Sequence, residues 1–523
     1  MDEGVSFVPF TWSDMIYLAP ELSLAAIFLI LVVLDLFVPQ RFSRQFIGWL
    51  TLGGLMLSLT VVVWRMLDMN PIGASAEEAS KAGEVINLLG ASYLVDDFGS
   101  LLKIVFLIGT ALIVLMSLGS VKQDEGITDK AEFFYLLLPA AIGAMIMASS
   151  GNLVTLYIGL ELLSVTSYVL VALRKRSALS AEAAFKYVVT GGIASAFLLF
   201  GMSYLYGVIG SVDLGDFAEA LPRAMTDYPA LVYVGLFFLI AGFCIKIAAA
   251  PFHAWAPDVY QGAPTPISAF LAVIAKGAAL AALFRILYST ALYITGSSQS
   301  NAGDDVFLAL LIIAAIAMII GTTAALRQRQ MKRLLALSGV ANAGYLLVPI
   351  ALNITVVHSN NFSEFIFYLI AYLLMNVGAF AVLTVISQSV GNEELKGFSG
   401  LYYRAPWTAA AMSVFILSLA GLPVTGGFFG KLFILLGAAN AKAYWLVAIM
   451  VISSVISYYF YFGIIRQMFM RSNGEEGGIK VPTPTGAVIW ICAAVTVVLG
   501  VFPGPLMGWI DTVFTIQGDL FVG

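Results

Sequence analysis

About fourteen long apolar segments separated by short polar connections run through this 523-residue chain, and they constrain its fold more than any motif does. They lie near residues 15–38, 46–67, 99–119, 132–149, 151–173, 182–209, 230–256, 264–288, 305–325, 331–351, 363–390, 406–440, 443–469 and 484–502, numbered here as spans 1 to 14. A helix crossing a bilayer needs roughly 20 mostly apolar residues, and segments of this length meet that need. Only 11% of the residues are charged, whereas soluble domains run at about 25%. A transmembrane barrel would alternate in strands of about ten residues, and that period is absent. The expected fold is therefore an all-α polytopic membrane protein. No connection is long enough for a soluble domain. The longest, residues 68–98, is mostly small or acidic, so a bound redox centre or nucleotide fold has no place outside the bilayer.

Orientation follows from the Lys and Arg content of alternate loops, since cytoplasmic loops carry the excess. With the amino terminus outside, the inner loops hold sixteen: Arg41, Arg44, Lys122, Lys130, Arg174, Lys175, Arg176, Arg327, Arg329, Lys332, Arg333, Lys396, Arg404, Arg466, Arg471 and Lys480. The outer side holds Arg65, Lys81, Arg223 and Lys442, and six more lie within spans. This bias supports an even number of spans with both termini on the outer side. The net charge of −5 comes from acidic outer loops such as residues 213–227 and implies no nucleic-acid partner.

Several chemistries find no support in the residues. Cys244 and Cys492 fall in apolar segments without metal-ligand spacing and read as small core residues. His253 and His358 have no evident partners for a haem or zinc site, and no phosphate-cradling GxxxxGK[ST] loop occurs. Acidic Asp2 and Glu3 argue against a cleaved signal peptide. No metal or cofactor is expected on this chain.

What remains is charge at membrane depth. Such residues are costly and usually face a protein or hydrated interior that carries ions. Glu161 lies in the middle of span 5, too deep to reach the interface. Lys246 lies in AGFCIKIAAAPFHAWAPDVYQGAPTP, where Pro251 clashes with the carbonyl four residues back, so span 7 should break one residue after the lysine. A broken helix is tolerated in a bilayer only where protein or a hydrated cavity surrounds it. Lys276 is central to span 8. Span 12 repeats the device in SVFILSLAGLPVTGGFFGKLFILLGA, with Pro423, four glycines and then Lys431. Two interrupted helices five spans apart suggest an inverted repeat of spans 4–8 and 9–13. The chain then divides into residues 1–131 with spans 1–3, a first repeat at 132–288, a second at 305–469, and a final span and tail at 470–523. Lys186, one turn into span 6, is a further candidate for a buried role. Lys103 and Arg285 near outer helix ends read as snorkelling cations, and Glu21 and Asp35 as interfacial carboxylates.

The stretches GLELLSVTSYVLVAL, KIAAAPFHAWAPDVYQGAPTP, QMKRLLALSGVANAGYLL and LAGLPVTGGFFGK resemble the proton-translocating antiporter-like subunits shared by respiratory complex I and multisubunit cation/proton antiporters. The resemblance covers spans 4–13. Lysine in both span 8 and span 12 is similar to the N-type branch of bacterial NADH-quinone oxidoreductase. The M type would be expected to carry Glu at the span-12 position, and the L type adds a long lateral helix. Asn342 stands where this family often has His, so water is expected to bridge the stretch between spans 8 and 12.

The resemblance implies proton transfer through Glu161, Lys186, Lys246, Lys276 and Lys431, driven by quinone reduction elsewhere. It implies no complete active site here, with flavin, iron–sulfur clusters and quinone in partner subunits. It also implies further antiporter-like membrane subunits as partners, and the bacterial plasma membrane as location. Closing a Glu161–Lys246 pair to 4 Å would be worth about 4 kcal/mol at an effective dielectric of about 20, enough to switch a lysine's hold on its proton. A cation/proton antiporter subunit or a structural membrane anchor are the alternative readings.

Overall fold

The computed structural model describes residues 12–39, 43–69, 85–294, 302–352, 361–470 and 478–514. Asp2, Glu3, Arg41, Lys81, His358 and Arg471 lie outside these residues. Among the described residues thirteen helices are long and apolar enough to cross a membrane. They are Ala19–Phe37, Gln45–Met69, Asp97–Ser120, Lys130–Ala148, Leu153–Val171, Ala178–Ile209, Pro229–Lys246, Thr265–Ser289, Gly303–Ala325, Met331–Ala351, Asn361–Val390, Tyr444–Met470 and Thr483–Val501. Two shorter apolar helices, Pro406–Ala420 and Gly426–Asn440, are the halves of span 12. The fourteen expected spans are thus present.

Polar residues at the helix starts supply the backbone bonds that a helix cannot make for itself. Asp96 accepts the Gly99 amide at 2.7 Å to open span 3, and Asn152 accepts the Thr155 amide at 2.7 Å to open span 5. One element has no counterpart in the sequence reading. Ile86–Leu88 pairs antiparallel with Tyr93–Val95, and this hairpin packs over the ends of the first spans.

The spans sort into a centre and a rim. In the most apolar stretch of spans 8, 10 and 11, 94%, 100% and 94% of the residues are buried within the chain, against only 22% and 33% in spans 1 and 13. Loops segregate into two faces. On one, Arg174 pairs with Asp124, Lys332 with Glu393 and Arg333 with Asp258. On the other, Tyr93 bridges to Ser150 and Asn152 to Asp213. Odd and even connections separate as an alternating helical bundle requires.

Both expected breaks are present. Span 7 ends at Lys246, and helix resumes only at Trp255–Gly262. Pro251 falls within the interruption, as its clash with the preceding turn demands. The first half of span 12 ends at Ala420, with Gly421 at φ +84°, the left-handed conformation that glycine adopts without steric cost. The second half starts at Gly426, and a Cβ at Gly427 would come within 2.1 Å of the Ser418 carbonyl oxygen, so only glycine fits there. Span 8 holds a third irregularity that the sequence reading missed, a π-helical turn over Leu271–Ala275 directly before Lys276.

Packing in the two five-span blocks corresponds. Spans 4 and 5 pack together as do 9 and 10, span 6 lies along 7 as 11 lies along 12, and span 8 returns to 4 as 13 returns to 9.

Candidate functional site

Span 6 packs against both span 5 and span 7 and places one small side chain between their charges. Ser195 donates its hydroxyl to Glu161 Oε1 and accepts a hydrogen bond from Lys246 Nζ at 3.4 Å. Lys246 Nζ also donates to Ser164 Oγ at 2.9 Å. Ser164 lies three residues beyond Glu161, on the same helical face. Glu161 and Lys246, expected to meet at salt-bridge distance or across one water, form no direct ion pair, and a span-6 hydroxyl joins the two groups. A hydroxyl has one proton and two lone pairs, so it can serve a carboxylate and an ammonium together. Both Glu161 and Lys246 are half-buried.

Lys246 also closes the first half of span 7. A cation in the last turn of a helix faces the partial negative charge of its free carbonyls. Lys431 meets a similar environment from the other side of a break. Its Nζ reaches back across the interruption to the Leu419 carbonyl at 2.7 Å and the Ala420 carbonyl at 3.5 Å. These carbonyls lack helical partners because the helix stops there.

Between them, Lys276 is buried, and its Nζ donates to the Gly339 carbonyl of span 10 at 2.7 Å. The space about Gly339 is shared with the Tyr372 hydroxyl, since a Cβ there would lie 3.1 Å from both Lys276 Nζ and Tyr372 Oη. One turn along span 10, Asn342 donates to the Ser338 carbonyl at 3.0 Å and accepts from Tyr368 at 2.7 Å. Ser338 and Tyr461 share a 2.5 Å hydrogen bond. Lys431 Nζ sits 4.9 Å from the Tyr345 ring centroid, and the Tyr345 and Tyr368 rings lie 6.3 Å apart. Hydroxyl and amide side chains thus fill much of the stretch for which water alone was expected. Tyr345, Tyr368, Tyr372, Tyr461, Ser338 and Ser195 were missed in the sequence. Their one visible signal is the Tyr368/Tyr372 spacing of four residues, on a helical face that also carries Glu364 and Asn376.

Lys186 stands apart from this string. It pairs with Glu182 at 2.7 Å and Asp258 at 2.6 Å, and its side chain is 38% exposed. A buried position for it is thus corrected. Lying nine residues before Ser195, it is about 13 Å away along span 6. Asp258 also takes Arg333, which makes a network at the loop end of the bundle. Burial pushes the Asp258 carboxyl up, but Lys186 and Arg333 outweigh it and hold the group below its ordinary value.

The snorkelling and interfacial readings are overturned at three residues. Lys103 is completely buried, pairs with Glu21 at 2.9 Å and donates to Tyr93 Oη, which itself donates to Glu21 at 2.6 Å. Arg285 is buried beside Asp96 at 2.6 Å and donates to the Ala148 carbonyl. The hairpin and neighbouring spans cover these helix ends, so nearness to an end does not mean nearness to water. Asp35 keeps its interfacial place, paired with Arg44 at 3.1 Å. Among the described residues no group of His, Cys, Asp and Glu side chains has a metal-holding arrangement.

Interrupted spans bearing lysines, with hydroxyl and amide groups filling the stretch between Lys276 and Lys431, define an antiporter-like polytopic membrane subunit. The NADH:quinone oxidoreductase/Mrp antiporter transmembrane family model matches residues 150–457. The chain is 77% identical to the NADH-quinone oxidoreductase subunit N of Paenibacillus sp. (strain JDR-2), covering 99% of each, and 46% identical to that of Brevibacillus brevis over 97% and 96%. Among solved structures it matches a chain of respiratory complex I from Thermus thermophilus, with TM-score 0.75 and 30% identity over 94% of this chain and 98% of that one. A chain of the Mrp complex from Dietzia sp. shares the fold, with TM-score 0.78 and 20% identity over 96% and 97%. The chain belongs to the NADH-quinone oxidoreductase subunit N family.

Proposed function

We propose that this chain is a proton-translocating, redox-free membrane subunit of a bacterial complex I, with Glu161, Lys246, Lys276 and Lys431 as the proton-carrying groups. The observation that carries this reading is the position of the three lysines. Each lies beside a helical irregularity, and the polar side chains between Lys276 and Lys431 run through an interior that is otherwise closely packed. Closely packed apolar side chains cannot pass protons, whereas hydroxyls can relay them and amides and free carbonyls can orient the ammonium groups, hydroxyls and waters that do.

Ser195 is the coupling element at the Glu161 end. When it bonds both charges, the carboxylate favours the ammonium form of Lys246. When Ser195 or Glu161 turns away, desolvation favours proton release. Lys276 relays between the blocks, and Lys431 exchanges with one side of the membrane. Lys186, in its ion-pair network with Asp258, sets the charge at the loop end of spans 6 and 7 rather than carrying a proton along the string. The two blocks, residues 132–288 and 305–469, act as inverted repeats, and their corresponding packing supports this. Partner membrane subunits flank the chain, and partners elsewhere in the complex hold flavin, iron–sulfur clusters and quinone. Both termini lie on the outer side of the plasma membrane.

The test is Lys276→Met in the assembled complex, reconstituted in vesicles. We expect intact assembly and intact electron transfer to an artificial acceptor, but proton translocation and coupled quinone reduction depressed. Normal pumping with normal assembly would rule out the relay. Failure to assemble would favour a structural anchor, and sodium-dependent transport without quinone would favour a secondary antiporter.

A further inference from the structure

The end of span 13 and two neighbouring loops enclose a cavity of about 750 Å³ that no step of proton transfer uses. Arg329 enters it from the loop between spans 9 and 10, Lys396 and Glu394 from the loop between spans 11 and 12, and Arg466 from the last turns of span 13. These three cations are exposed, and among the described residues none of them makes an ion pair. Three unpaired cations and one carboxylate converging on one space leave a net positive charge there.

The rest of the wall is mostly apolar, with Gln328 and Gln467 among it, and two of its aromatic rings face outward from the bundle. Tyr459 and Phe462 of span 13 are 74% and 45% exposed. Tyr459 precedes Arg466 by seven residues, about 10 Å along the helix towards the bilayer interior. Charge at the loop level and an exposed aromatic wall one to two turns deeper match the two ends of a phospholipid. Basic pockets between membrane helices on the loop face with excess Lys and Arg favour anionic head groups.

We infer that this cavity is a binding site for one anionic phospholipid with a hydroxylated head group. Its phosphate accepts from Arg329, Lys396 and Arg466, a head-group hydroxyl donates to Glu394, and an acyl chain lies along Tyr459 and Phe462. Inorganic phosphate would meet the cations but leave the aromatic wall uncovered. A zwitterionic lipid would bring an ammonium against three cations. The inference is independent of the proton route, because none of these residues belongs to it.

The test uses the whole complex purified in mild detergent, with native mass spectrometry counting bound lipid, followed by delipidation and reloading with phosphatidylglycerol. Wild type should retain one more phosphatidylglycerol than the Arg329→Gln/Arg466→Gln variant at equal assembly. Two charges worth about fivefold each predict roughly 25-fold weaker reloading. Arg329→Lys/Arg466→Lys should restore it, and Tyr459→Ala, at an exposed position, should weaken it without affecting folding. Phosphatidylcholine and inorganic phosphate should not compete. Equal lipid counts in wild type and the glutamine variant, displacement by inorganic phosphate alone, or a photocrosslinker at Tyr459 capturing a partner subunit would each overturn the assignment.

Discussion

Lys103 sits with Glu21 and Tyr93 in a site closed to solvent, where an ion pair stripped of one member is worse than no pair at all. We predict that Lys103→Met destabilises the complex by about 3–5 kcal/mol, because Glu21 is left buried without its ion-pair partner. Glu21→Gln/Lys103→Met should recover most of that loss. Thermal inactivation of the purified complexes measures both, and a double variant no better than the single one would refute the pairing. Ser195 makes the opposite kind of prediction, functional rather than structural. Ser195→Ala removes a hydroxyl bonded to two charged groups, and if the low end of one such bond, about 1.5 kcal/mol, is lost from the transfer step, proton translocation should fall by roughly tenfold with assembly retained. Pumping at the wild-type rate would remove Ser195 from the route. At this scale the deep charges Glu161, Lys246, Lys276 and Lys431 were legible because a charge in an apolar run is conspicuous. Ser195 was not, since serine is common in membrane helices and only the crossing of spans 5, 6 and 7 gives it two charged neighbours.

The two halves of span 12 communicate through Gly421, whose φ of +84° costs a side-chain-bearing residue roughly 1–2 kcal/mol. A Cβ there would also stand 3.0 Å from Lys431 Cδ. Gly421→Ala should therefore shift Lys431 away from the Leu419 carbonyl and lower translocation more than it lowers assembly. A variant with assembly and pumping both normal would show that the approach is unimportant. Loop elements respond to pH instead. Burial pushes Glu393 up, but Lys332 at 2.9 Å, together with Arg174 and the Ser387 hydroxyl, holds its carboxyl below the ordinary value of 4.5. A depressed carboxylate stabilises the fold above its unfolded value, and that contribution is lost as pH falls through the folded value, here below 4.5. Lys332→Met should thus be less stable than wild type at pH 7 by roughly 3 kcal/mol, and the gap should narrow below pH 4.5. A gap constant with pH would mean that Lys332 acts through packing. The breaks in spans 7 and 12 were visible in sequence because proline cannot donate and glycine tolerates positive φ. The π-helical turn before Lys276 was invisible, since LAVIA carries no breaker and its register is imposed by the spans around it.

For the molecule as a whole, the segregation of loops into two faces leaves one question of sign, namely which face is cytoplasmic, and the Lys and Arg bias predicts the face that holds Arg327. Asp227→Cys should react with a membrane-impermeant maleimide in right-side-out vesicles, and Arg327→Cys only after permeabilisation. Both positions are exposed, and the native Cys244 and Cys492 are buried. The reverse labelling would invert the orientation. Segment length and hydropathy are local properties imposed by bilayer thickness, so the fourteen spans, their breaks and the lysines of the proposed proton route could be read from the chain by itself. Burial is not local. Which helix ends are covered, which hydroxyls lie between spans 8 and 12, and that Lys186 faces Asp258 rather than the interior depend on how spans cross. These were decided by the tertiary structure, because a side chain's solvent and partners are supplied by helices distant in sequence.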